Sequence, residues 1–226
     1  MTIRRVTLGA DVLEGNTEVA AANRRRLVDA GVLALNVMAS PGAGKTSLIL
    51  RTMEAVGSPE RVGVIEGDVA GDIDARKVLA AGAGGVVQVN TGGGCHLDAG
   101  MVRRALDQLD LGALDLLFVE NVGNLICPTH WSLGEDRRLC LLSAAEGHDK
   151  PVKYPDIFAA ADVIVLNKLD LAPLVDFDGD AFHESVRALN RMAPVFEVSC
   201  RTGTGIEAWA EWVLARMAEA RPATAS

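Results

Sequence analysis

Long apolar runs are missing from this 226-residue sequence: none approaches the roughly 20 residues that a membrane-spanning helix needs. The first residues, Met1-Thr2-Ile3-Arg4-Arg5-Val6, lack the apolar stretch of a secretory signal. The two absences together set the expectation of a cytoplasmic protein with no membrane partner. Positive charge is also scarce. There are 22 Lys and Arg against 30 Asp and Glu, for a formal net charge of −8. Arg24-Arg25-Arg26 is the one run of three basic residues, and it reads as a solvated helix face. Without a basic stripe, nucleic acid is excluded as an expected partner. Cysteine is limited to Cys95, Cys127, Cys140 and Cys200. In a cytosolic chain of this size such a set makes core thiols or metal ligands rather than a disulfide framework. Repeats, linkers and a second hydrophobic unit are lacking too. The reading is one domain over 1–226, with an extension at 1–13 and a flexible tail at 219–226.

The most informative stretch that is present is Ser40-Pro41-Gly42-Ala43-Gly44-Lys45-Thr46. An apolar run, Val32 to Met38, precedes it and reads as a strand; Ser47 to Met53 follows and reads as a helix start. A strand, a Gly-rich turn ending in Gly-Lys-Thr and a helix form a phosphate cradle. Pro41 leads into the turn, the backbone N–H groups of Gly42, Ala43, Gly44, Lys45, Thr46 and Ser47 surround one anion, Lys45 reaches the β- and γ-phosphates, and the Thr46 hydroxyl is suited to Mg²⁺. Ala39 stands where the usual pattern has its first Gly, which a residue of negative φ tolerates.

Apolar runs and amphipathic segments alternate along the chain. Strands are expected at Val62–Gly67, Val86–Val89, Leu114–Val119, Arg138–Ser143, Ala161–Leu166 and Val195–Val198. Helices are expected over 14–30, Asp72–Ala81, Asp98–Asp107, Ala181–Arg191 and Ile206–Ala220. The strand runs are continuously apolar, which signals a mostly parallel sheet covered by helices on both faces, the α/β architecture of P-loop NTPases. The stretch from Asn121 to Glu135 is the least regular.

A second nucleotide signal is Asn167-Lys168-Leu169-Asp170, directly after a strand, where ligands bind in open α/β sheets. The Asp170 carboxylate can accept from the N1–H and exocyclic amine of guanine, a donor pair that adenine lacks. Ser199-Cys200-Arg201, past the next strand, is placed to line the base from the other side. GTP and GDP are therefore the expected nucleotides. Glu120 ends one strand and Asp68 follows another, so either can meet Mg²⁺; Asp72 is close enough to orient an attacking water. A helix cap or a solvated loop charge is the plain alternative for each carboxylate. Cys95-His96 and Cys127 offer two thiolates and an imidazole, a set suited to Zn²⁺ or Ni²⁺. Cys95 and His96 are adjacent, which fits ligands that bridge two ions or two subunits. Small core residues are the alternative for the cysteines, and residue chemistry alone leaves both open.

Several segments carry a resemblance: Ser40–Thr46, Asn90-Thr91 through Cys95-His96-Leu97-Asp98, Glu120-Asn121-Val122-Gly123-Asn124-Leu125-Ile126-Cys127-Pro128, Glu146–Pro151 with Lys153-Tyr154-Pro155, and Asn167–Asp170. Over residues 14 to 218 the chain resembles the hydrogenase nickel-incorporation GTPases of the HypB family. The Glu120–Pro128 segment is the most specific, since the related urease GTPase UreG differs there. The resemblance implies a SIMIBI-class GTPase and nickel metallochaperone that forms a homodimer on binding GTP. It also implies a nickel or zinc site of Cys95, His96 and Cys127 at the subunit interface, with Lys153 reaching the partner's nucleotide. The implied partners are the nickel chaperone HypA and the hydrogenase large subunit. No in-chain Arg is evidently placed as a finger, so intrinsic turnover is expected to be slow. Many family members carry Cys- or His-rich N-terminal metal motifs; residues 1–30 here hold neither residue. Gly93 stands where a Lys is common. Two other readings use the same motifs: a small-molecule phosphotransferase, and a non-catalytic dimer stabilised by zinc.

Overall fold

A computed structural model describes residues 10–68 and 71–221. The expected N-terminal extension lies outside these residues up to position 9, and the tail from 222 on. The elements run α1 (Ala10–Ala30), β1 (Leu33–Ala39), α2 (Lys45–Val56), β2 (Val62–Asp68), α3 (Ile73–Ala80), β3 (Gly85–Asn90), α4 (Ala99–Leu106), β4 (Leu116–Glu120), β5 (Arg137–Ser143), α5 (Lys150–Lys153), α6 (Pro155–Ala159), β6 (Val163–Asn167), α7 (Gly179–Leu189), β7 (Val195–Glu197) and α8 (Ile206–Ala220). Residues 10–13 are thus helical rather than an extension, and residues 219 and 220 belong to α8 rather than to the tail.

The seven strands form one sheet in the order β3-β2-β4-β1-β5-β6-β7, and each neighbouring pair is parallel. The five inner strands are buried along most of their length, whereas the outer β3 and β7 are half-exposed. Their apolar sequences follow from this burial on two faces. Along β1 the side chains alternate. Leu33, Leu35, Val37 and Ala39 pack with Leu48, Ile49, Met53, Val78, Trp209 and Val213 of α2, α3 and α8. Ala34 and Met38 face the opposite layer, built from Leu27, Val102 and Leu106 of α1 and α4 and from Ile157, Phe158, Phe182 and Val186 of α6 and α7.

β4 begins two residues later than its apolar run suggests. Leu114 and Asp115 follow a 3-10 turn, Leu111–Ala113, and Asp115 spends its backbone N–H on Arg61 O (2.8 Å) and its carboxylate on Arg61 and Arg221. The short helices α5 and α6 were not expected. Each carries a proline in its first turn, Pro151 and Pro155, where a missing N–H costs nothing.

Every strand that matters for the site ends on the same sheet edge. β1 runs into the phosphate loop, β2 ends at Asp68, β4 at Glu120, and β6 at Asn167.

Candidate nucleotide and metal sites

The phosphate loop turns on Gly42 (φ 77°) and Gly44 (φ 101°). A side chain at Gly44 would meet Asn167 Nδ2 at 2.4 Å, so glycine is required there for space as well as for backbone freedom. Ala39 is a buried strand residue, and among the described residues only Lys168 and Asp176 combine a side chain with positive φ. Alanine therefore replaces the usual glycine without strain. Ser40 hydrogen-bonds Glu146 through its hydroxyl, which fastens the loop to the end of β5.

Lys45 Nζ lies 3.6 Å from Glu120 Oε1, and the Thr46 hydroxyl faces both Glu120 oxygens at 3.2 Å. The register between β2 and β4 places Glu66 opposite Glu120. Asp74 on α3 completes a group of three carboxylates whose ligand atoms lie within 4.8 Å of one another. Burial and the neighbouring Glu120 charge push the Glu66 carboxyl up to about 10. Glu120 is also raised by burial, against the opposing pull of Lys45. At neutral pH the pair therefore shares a proton. Glu66 Oε2 is buried without a hydrogen-bond partner. A cluster of desolvated oxygens beside the Thr46 hydroxyl is the donor set that a hard divalent cation such as Mg²⁺ requires.

Asp68 ends β2 and accepts from Gly71 N at 3.1 Å. Asp72 receives two bonds from Arg76, at 2.9 and 2.7 Å, both to Oδ2. Glu66 and Asp74 were not singled out in the sequence. The available signal was an acidic residue inside the apolar run Val62–Gly67.

A cavity of about 310 Å³ beside the loop is lined by Gly44, Ser47, Asn167, Lys168, Asp170, Leu171, Cys200 and Arg201. It brings together five of the residues expected around guanine, Asn167, Lys168, Asp170, Cys200 and Arg201, while Ser199 is not in its lining. Asn167 donates to Ala43 O (3.0 Å) and accepts from Cys200 N (3.2 Å). Lys168, in the left-handed region, donates to Gly42 O at 2.7 Å. Asp170 accepts from the Ser199 hydroxyl at 2.6 Å. Burial pushes the Cys200 thiol up to about 11, so it is a packing group and not a thiolate.

The three metal-ligand candidates converge within a single chain: the ligand atoms of Cys95, His96 and Cys127 all lie within 4.8 Å of one another. Cys95 Sγ is 3.5 Å from His96 Nδ1, so adjacency in sequence does not force the two onto separate ions. The loop before them turns on Gly92 and Gly93, and the Thr91 hydroxyl donates to Gly94 O at 2.8 Å. The His96 ring lies against Trp131 with centroids 4.6 Å apart and the planes tilted by 33°. Burial lowers its pKa and keeps it in the neutral form that binds metals. The hydrogen bond with Cys127, followed by burial, raises the Cys95 thiol. Cys127 opens a 3-10 turn, Cys127–His130.

Asn121, directly after Glu120, is fully buried. Its Oδ1 accepts from Leu97 N (3.0 Å) and its Nδ2 donates to Asn36 Oδ1 (3.2 Å). Gly123 packs so tightly on Pro41 that a side chain there would lie 2.9 Å from Pro41 N. Lys153 is on the surface in α5, paired with Asp149.

Residues 33–197 match the family described as CobW/HypB/UreG, nucleotide-binding domain. The hydrogenase maturation factor HypB of Azotobacter chroococcum mcd 1 is 47% identical over 210 residues, covering 93% of this chain and 68% of its own. The crystal structure of HypB from Archaeoglobus fulgidus superposes with a TM-score of 0.84 at 38% identity, over 90% of this chain and 99% of that one. The structure of HypB from Helicobacter pylori in complex with nickel gives 0.87 at 33% identity, over 94% and 99%. The chain belongs to the HypB family. Its phosphate loop, the cavity at Asn167–Asp170 and the cluster of Cys95, His96 and Cys127 all follow strand ends on one edge of one sheet. Of the other three histidines, His130 closes the turn that Cys127 opens, His148 Nδ1 accepts from Asp178 N, and His183 pairs with Glu197. Cys140 is wholly buried in β5, which raises its thiol pKa well above the usual range. Among the described residues, no helix is long and apolar enough to cross a membrane.

Proposed function

We propose that this chain is a GTP-hydrolysing nickel carrier for hydrogenase maturation, acting in the cytoplasm, whose GTP-dependent pairing is coupled to metal binding and release. The observation that carries the proposal is the continuity of one segment. Glu120 faces Lys45 and Thr46, and Cys127, seven residues on, faces Cys95 and His96.

Lys45 and the backbone N–H groups of Gly42 to Ser47 bind and orient the β- and γ-phosphates. Thr46 and Glu120, with Asp68, would hold Mg²⁺, which supplies positive charge to the phosphate oxygens. Asp170 reads guanine, with Asn167 and Lys168 holding its turn against the phosphate loop. Nickel, the cargo, is taken by the thiolates of Cys95 and Cys127 and the neutral imidazole of His96; Zn²⁺ suits the same donors. Because the γ-phosphate sensor and a metal ligand share one segment, the nucleotide state biases the metal site. Hydrolysis then favours handover to a partner such as the nickel chaperone HypA or the hydrogenase large subunit. Lys153, exposed on α5, reaches the nucleotide of a second copy in the GTP-bound pair.

Titration of the full chain with Ni²⁺ and with Zn²⁺, in GDP and in a non-hydrolysable GTP analogue, tests this. Coupling of ordinary strength changes metal affinity by about 5- to 150-fold between the two nucleotides. Equal affinities would sink the gating mechanism and favour a zinc-stabilised dimer instead.

A further inference from the structure

Asn124 connects three segments that come from distant parts of the chain. Its backbone N–H donates to Ala39 O at 2.8 Å, where β1 becomes the phosphate loop. Its side-chain Oδ1 accepts from Ile126 N at 2.9 Å and from Cys127 N at 3.4 Å, which shapes the turn that presents the Cys127 thiol. Its Nδ2 donates to Cys95 O at 3.3 Å. One carboxamide therefore holds the main chain of both cysteines, while its own main chain is tied to the phosphate loop.

We propose that Asn124 is a positioning residue that sets the distance between the Cys95 and Cys127 thiols and links that pair to the phosphate loop. The inference rests on the reading of Cys95, His96 and Cys127 as the metal site. Other side chains nearby do different work. Asn121 is fully buried and holds Leu97 N through its carboxamide. Trp131 packs against the His96 ring in a tilted contact. Neither touches the main chain of both cysteines. Asn124 is only half-buried, so its side chain is removable without opening a cavity in the core. An amide is needed because the clamp both accepts and donates. Asp at this position keeps the acceptor for Ile126 and Cys127 but loses the donor to Cys95 O.

The experiment uses the full chain without nucleotide. Zn²⁺ affinity is measured by competition with a chromophoric chelator for wild type, Asn124→Ala, Asn124→Asp and Cys127→Ala, with melting temperature as the check on folding. Outer contacts that orient metal ligands are worth about 10- to 100-fold in affinity. Asn124→Ala is expected to lose that much, and Asn124→Asp less. If Cys127→Ala weakens Zn²⁺ binding but Asn124→Ala does not, the clamp is refuted and the metal site stands. If Cys127→Ala has no effect, the metal-site reading fails. The clamp is then judged by a metal-free measurement: oxidation of the Cys95–Cys127 pair in a glutathione buffer, with the linked peptides identified by mass. The clamp survives if the pair forms its disulfide less readily in Asn124→Ala than in wild type. It falls if the two behave alike, including the case in which neither forms the disulfide.

Discussion

Replacing Glu66 with Gln should make the folded protein less sensitive to alkali. Glu66 faces Glu120 across the β2–β4 register, with Lys45 and Asp74 nearby. Folding moves its carboxyl from 4.5 to about 10, chiefly through burial and then through the Glu120 charge. Between those two values the folded chain keeps a proton that the unfolded chain has released. Stability therefore falls as pH rises, by at most about 1.4 kcal/mol per pH unit for one proton. From pH 6 to pH 8 the loss is about 2.7 kcal/mol, a large part of the stability of an ordinary domain. Gln keeps the shape, can donate to Glu120 at every pH and has no proton to release. The assay is urea denaturation of EDTA-treated, nucleotide-free protein at pH 6, 7 and 8, with wild type and Glu66→Gln run in parallel so that other titrating groups cancel. The gap between the variants should widen by about 2.7 kcal/mol across the window, in favour of Gln. Parallel loss of stability in the two proteins would refute the shared proton.

Gly44→Ala combines a left-handed backbone strain with a Cβ placed 2.4 Å from Asn167 Nδ2. Strain of about 1–2 kcal/mol and the loss of an Asn167 hydrogen bond worth about 1 kcal/mol should weaken GTP binding roughly 100-fold, measured with a fluorescent analogue. Asp170→Ala should lower GTP affinity by about 1.5–3 kcal/mol, the worth of a hydrogen bond to a charged acceptor, and leave ATP affinity unchanged. Equal losses for the two nucleotides would show that Asp170 supports the pocket without reading the base.

What could be read from the residues was mostly local. The apolar runs located all seven strands to within two residues, because burial on both faces removes polar positions from the inner strands. The phosphate loop declared itself through a contiguous pattern, and so did Asn167–Asp170. The carboxylate cluster did not, because it depends on strand order. Only when β2 lies beside β4 does Glu66 meet Glu120, and nothing in either strand specifies that neighbour. Asp72 was the expected carboxylate and Asp74 was missed: Asp72 meets Arg76, whereas Asp74, two residues on, lies beside Glu66 and Glu120 while also pairing with Lys77. Cys95 and His96 could be read as candidate ligands from residue type, but their convergence with Cys127 depends on the turn at Gly92 and Gly93 and on the contacts of Asn124.

The bonds that join the base pocket to the phosphate loop also bear on how the chain folds. Asn167 reaches Ala43 across 124 positions of sequence, and Lys168 reaches Gly42 across 126. Such contacts exist only once β6 has joined the sheet. A chain interrupted before β6 thus has the phosphate loop but no base pocket. A nucleotide held at both places would therefore recognise the completed sheet. A ligand that binds only the finished state adds to stability by mass action, about 2.7 kcal/mol at one hundred times its Kd. The nucleotide is, on this view, a folding ligand before it is a substrate.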